Sequence, residues 1–201
     1  MPTEQIAAQP ATDVGICSRA LVLLGEGPFT SFDEGSAVAV IAGQLYPGIY
    51  EEFLTSHPWP FCIYESVLDL RADEVPLTDH YKYVYQLPAS LLQLISLEPN
   101  DLKYEIQKGK RLYSSTEPPL KSRYVAKVPE NMVPPSAQMA LVYRVAAEFA
   151  IPITSSKTRM ELFFQLYQQQ MKRARHIESR QRPSEPLYGS AGLVNGRGEG
   201  W

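Results

Sequence analysis

His57, His80 and His176 are the three imidazoles of this 201-residue chain, and imidazole suits general acid–base work because its ordinary pKa lies near neutrality. Such a base needs a nucleophile or a metal within reach. No GxSxG elbow, HExxH helix, Walker-type loop or GxGxxG turn accompanies any of them. Gly25-Glu26-Gly27 follows a helical pattern and not the strand that a phosphate loop requires. His57 therefore reads as a turn residue, His80 as a strand start and His176 as part of a cationic helix end. No catalytic role is expected for them, and the chain is not expected to be an enzyme.

Four carboxylates, Asp69, Asp73, Glu74 and Asp79, are close in sequence, but their spacing fits no EF-hand loop and apolar residues intervene. They read as a solvated sheet edge and loop, with no metal and no cofactor implied. Cys17 and Cys62 have no CxxC or Cys/His spacing and read as small core residues. Tyr81, Tyr83 and Tyr85 fall on one face of a strand, the arrangement of an aromatic platform for single-stranded nucleic acid. Only Lys82 is interleaved with them, which favours packing. Lys172, Arg173, Arg175, Arg180 and Arg182 oppose Glu178 alone in a chain of net charge -3. Cations at a helix C-terminus are stabilised by the helix dipole whatever their function. The same charges also make a basic patch for a partner, and a nucleic-acid-binding module is the alternative reading of the chain.

The elements that must position these groups follow from period and punctuation. Thr12 or Asp13 can cap a first helix with Val14, Cys17, Leu21 and Leu24 on one face, ended by Gly25. Ser36 can cap a second with Val38, Ile41, Leu45, Ile49 and Phe53 inward. Pro47 lies inside it, and a kink or break is expected near Tyr46. His57-Pro58-Trp59-Pro60-Phe61 then stops the helix, and the period changes to two. Short β-rich runs follow: CIYESVLDLRA, YKYVYQLP, LLQLISLEP, KYEIQ, RLYSS and KSRYVAKV. Lys108-Gly109-Lys110 joins two of them as a hairpin with a cationic, exposed tip.

Helical period returns after Pro134-Pro135, with Met139, Val142, Ala146 and Phe149 on one face until Pro152. A last helix, capped by Thr154, Ser155 or Ser156, carries Met160, Phe163, Tyr167, Met171, Ala174 and Ile177 towards Arg180. The expected fold is α+β: a helical body (1–61 and 133–182) interrupted by an antiparallel β insertion (62–132), with an extended arm (183–201). The arm is rich in Gly, Pro and Ser and cannot offset its ordering entropy with a core of its own. Leu187, Tyr188, Leu193, Val194 and Trp201 are its large apolar residues and its expected docking anchors. The 17 prolines exceed the usual ~5% and favour chain reversals over a compact all-helical bundle. No run reaches the roughly 20 apolar residues of a membrane span, and the acidic N-terminal segment is unlike a signal peptide, so a reducing cytosol is the expected place of synthesis.

The order of these elements, with Trp59-Pro60-Phe61 leading into the first strand, resembles the tail tubular protein A family, the head-to-tail adaptors of T7-like podoviruses. Tyr85-Gln86-Leu87-Pro88 with Leu91 and Leu94, Tyr104-Glu105-Ile106 before Lys108-Gly109, Tyr124-Val125 and the helix after Pro134-Pro135 carry the rest of the likeness, over residues 12–180. The resemblance implies a virion tail protein forming a dodecameric ring beneath the portal, extending the DNA channel without specific DNA binding and offering its far side to the nozzle. Tail fibres or spikes would attach nearby. It also implies a continuous second helix, from which Pro47 departs.

Overall fold

A computed structural model describes residues 11–76, 79–100, 102–107 and 109–180. Helix α1 spans Asp13–Leu23, with the Thr12 hydroxyl accepting the Gly15 N–H at 3.0 Å. At its other end Gly25 sits at φ +80°, so that the N–H groups of Gly25 and Glu26 return to the carbonyls of Val22 and Leu21. This C-terminal closure needs a left-handed residue, which glycine supplies without a Cβ clash. Helix α2 spans Ala37–Thr55 and is capped by Ser36.

Two expectations for α2 are corrected. The helix runs through Pro47 without a break. Its inward face is Ala39, Ala42, Tyr46, Ile49, Tyr50 and Phe53, while Leu45 is exposed. Alanines at 39 and 42 let the helix approach its neighbours, and the stacked Tyr46 and Tyr50 rings, 5.8 Å apart, span the proline turn. Their hydroxyls donate to Glu130 Oε1 at 3.2 Å and to the Val128 carbonyl at 3.0 Å. Packing on both sides of Pro47 thus holds a helix whose hydrogen-bond ladder lacks one donor.

Seven strands follow: β1 Ile63–Val67, β2 Asp69–Leu70, β3 Tyr83–Gln86, β4 Leu91–Glu98, β5 Tyr104–Gln107, β6 Arg111–Ser114 and β7 Lys121–Ala126. They form two antiparallel sheets, of order β1-β7-β4 and β2-β3-β6-β5. The run CIYESVLDLRA therefore contains two strands in different sheets. Leu68 is the single residue between them; its N–H donates to the Leu120 carbonyl at 2.8 Å and its side chain is buried. The three-stranded sheet serves two cores. Leu92 and Val125 join the helical core, whereas Leu91, Leu94 and Leu97 pack towards the four-stranded sheet.

Helices α3 (Pro135–Thr154) and α4 (Lys157–Ser179) complete the body, making the fold α+β. α3 runs two residues past Pro152 and ends at Ser155, a left-handed residue at φ 52°. It is not one-faced as expected. Ala137, Ala140, Leu141, Val145, Ala147 and Phe149 are buried around most of its circumference, because α1, α2 and α4 all pack on it. Only Ser155 and Ser156 separate α3 from α4, so the two are antiparallel neighbours. The α4 stripe holds from Phe163 to Ala174, but in the last turn Glu178 turns inward and Ile177 is exposed.

Candidate functional site

Several of the groups that could have done chemistry are engaged in structural contacts. The His57 ring meets Trp59 edge-on at 4.8 Å, and Trp59 stacks between Phe53 and Phe61 at 5.5 and 5.7 Å. Trp59 is fully buried and its Nε1 donates to the Phe53 carbonyl at 3.2 Å, so the His57–Phe61 segment is the joint between α2 and the first sheet. The His80 carbonyl accepts the Ser115 hydroxyl at 2.9 Å just before β3, and His176 lies exposed on α4. Both cysteines are buried; burial pushes the Cys62 thiol up to about 11 and the Cys17 thiol further, so neither is a thiolate at neutral pH.

Among the carboxylates, Glu74 takes Arg111 on both oxygens, at 3.0 and 2.8 Å from Nε, and its carboxyl is held below the ordinary range chiefly by that hydrogen bond. Asp73 pairs with Arg71 at 3.2 Å. Among the described residues no three His, Cys, Asp or Glu side chains are grouped to hold a metal. The tyrosine row is packing. Tyr85 is fully buried with its hydroxyl on the Thr116 carbonyl at 2.6 Å, Tyr83 packs beside it, and Tyr81 precedes the strand, 6.5 Å from Tyr113. The hairpin tip is also more committed than expected. Lys110 Nζ donates to the carbonyls of Ala89 and Leu91 at 2.7 and 2.8 Å, so this cation ties β6 to the start of β4.

Arg144 is the electrostatic hub of the body. From α3 it reaches Glu52 of α2 at 2.9 Å and Glu148 at 2.7 Å, and lies 5.7 and 5.8 Å from the Phe164 and Tyr167 rings of α4. Burial opposes its charge, but Glu52 and Glu148 outweigh that and raise its pKa.

No protein-family model and no curated protein matches the chain.

What remains open is surface. A groove of about 410 Å³ between α1 and α3 has Val22, Leu23, Pro28, Met139 and Val142 as its apolar lining. Arg19 stands at its rim with Met139 Sδ, at 3.7 Å, as its hydrogen-bond partner. The residues outside the expected α1 stripe that mark this groove are Val22, 57% exposed, and Leu23, also exposed; apolar side chains off the buried period were the available signal. A second open feature is β5, which among the described residues pairs with β6 alone and has Tyr104 and Ile106 exposed. A hollow of about 550 Å³ on the three-stranded sheet is electrically balanced, with Lys121 facing Glu98 and Arg123 facing Glu65, both at 3.7 Å.

The basic run divides. Arg175 turns back to the Ser56 carbonyl at the end of α2, at 3.4 Å. Lys172, Arg173 and Arg180 are exposed on α4. Arg182 and the arm anchors Leu187, Tyr188, Leu193, Val194 and Trp201 lie outside the described residues.

Proposed function

We propose that the chain is a structural head-to-tail adaptor of a short-tailed bacteriophage, forming a dodecameric ring between portal and tail nozzle. The observation that carries this reading is the order of elements: two helices, a Trp59-Pro60-Phe61 joint with Trp59 buried, a β insertion and two more helices. That order bears the resemblance to the tail tubular protein A family. The surfaces add support. An apolar groove on the helical body and an open strand edge on the insertion are unlike each other, and a ring needs unlike complementary faces because its contacts are head-to-tail. The arm at 183–201 supplies a further docking element towards the portal.

A dedicated nucleic-acid-binding module has weaker support, because Tyr83 and Tyr85 are packed against the second core and Arg175 is bound to α2. Sedimentation of the chain with the portal ring of the same virus tests the adaptor reading. Co-sedimentation that saturates at one copy per portal subunit is expected; failure to co-sediment contradicts it. Removal of 183–201 is expected to leave the fold intact and abolish attachment, and undiminished attachment excludes the arm from docking.

A further inference from the structure

The last turns of α4 carry Lys172, Arg173, His176 and Arg180, all exposed, on the side of the helix opposite the buried Met171, Ala174 and Glu178. At 100° per residue these four side chains fall within about 100° of the circumference. The acids of α4 are elsewhere: Glu178 is turned inward, and Glu161 pairs with Lys157 in the first turns at 3.8 Å. None of Lys172, Arg173 and Arg180 has an ion-pair partner among the described residues. Among the exposed side chains just before them, Gln165, Gln168 and Gln169 add hydrogen-bond donors and no charge, while the exposed Leu162 and Phe164 lie further back along the helix. A generic helix-end role accounts for charges near the C-terminus, but not for their segregation onto one face while Arg175, one position away, is bound to the neighbouring helix.

We propose that this face of α4 contacts the phosphate backbone of duplex DNA, weakly and without reading sequence. Lys172, His176 and Arg180 recur every fourth residue, steps of about 6 Å along the helix. The face is about 12 Å long and carries three fixed charges, Lys172, Arg173 and Arg180, enough to neutralise about three phosphates of a duplex. The face is polar and cationic; the exposed ring of α4, Phe164, lies off it beside Arg144, so the face itself offers no ring to stack unpaired bases. A contact of a few phosphates is salt-labile, as a surface along which DNA must move requires. The placement of this face on a DNA channel rests on the adaptor reading; the contact itself does not.

The test is fluorescence anisotropy of a mixed-sequence duplex with the full chain over a salt series. Binding at low salt is expected, with log K falling against log salt at a slope of about -3, near -0.9 per phosphate neutralised. The combined variant Lys172→Gln, Arg173→Gln and Arg180→Gln, checked for native circular dichroism, is expected to bind at least about tenfold more weakly with a shallower slope. Arg175→Gln is expected to bind as the parent does. Absence of duplex binding at low salt, an undiminished triple variant, or an equal loss with Arg175→Gln overturns the proposal. Preference for poly-glutamate over DNA overturns it too and assigns the face to an acidic protein. The triple variant is expected to join the portal normally; a parent chain that binds DNA as expected but forms no ring on the portal counts against the adaptor reading alone.

Discussion

In the helical body, one large buried cluster runs through all four helices and centres on α3, whereas the four-stranded sheet closes over six buried residues: Leu68, Tyr85, Leu87, Leu97, Leu112 and Leu120. The body is redundant; many side chains share the load, and Arg144 adds a charged tie across α2, α3 and α4. The insertion relies on strand pairing, a few leucines and the Glu74–Arg111 pair. Regions with few buried contacts open locally at lower free energy than the core. In an assembly subunit this separates a stiff part that sets the frame from a compliant part that adjusts to a neighbour.

The comparison can be broken in several ways. Trp59→Ala removes the joint where the two regions meet, leaving the Phe53 carbonyl to the Ser56 hydroxyl alone among side-chain donors, and should cost about 3–5 kcal/mol by chemical denaturation. Loss of less than about 1 kcal/mol would mean that the joint is not where the regions are coupled. Leu112→Ala should cost about 2–4 kcal/mol, but locally: amide exchange in β3 and β6 should accelerate while α3 keeps its protection. Equal acceleration in α3 would make the molecule one cooperative unit. Arg144→Met should cost about 1–2 kcal/mol and act on the helices, because Glu52 and Glu148 remain solvated when the cation is removed.

Acid provides the smallest and most local effect. Arg111 holds the Glu74 carboxyl below its ordinary value of 4.5, so its contribution is complete above that value and is lost as pH falls through the lower folded-state pKa. Protection factors in β6, taken against the intrinsic exchange rate at each pH, should fall on acidification, and Glu74→Gln should remove that dependence. A parent-like acid response in the variant would assign the dependence to another group.

Much of this architecture was legible in sequence because caps and periods are local signals. Thr12, Ser36 and Ser156 cap the helices, and Gly109, at φ +70°, turns the β5–β6 hairpin. The errors arose where tertiary contacts override local rules. Pro47 remains within α2, where Tyr46 and Tyr50 pack on either side of it, and Pro152 lies in the last turn of α3, three residues before Ser155. In α2 the large Leu45 suggested the inward face, but the alanines at 39 and 42 set it. Leu68 reads as one more residue in a β-rich run, and only the two-core arrangement reveals it as the step between sheets. The division of the basic run depends on Ser56, distant in sequence, and was not legible. The α1–α3 groove was half legible, through Val22 and Leu23, exposed apolar residues off the expected α1 stripe.

Electron microscopy of the chain mixed with the portal ring tests the adaptor reading most directly. The account predicts a closed ring of this chain stacked on the portal with the same symmetry and an open central channel. Portal particles without added density, or single copies bound at scattered positions, would contradict it.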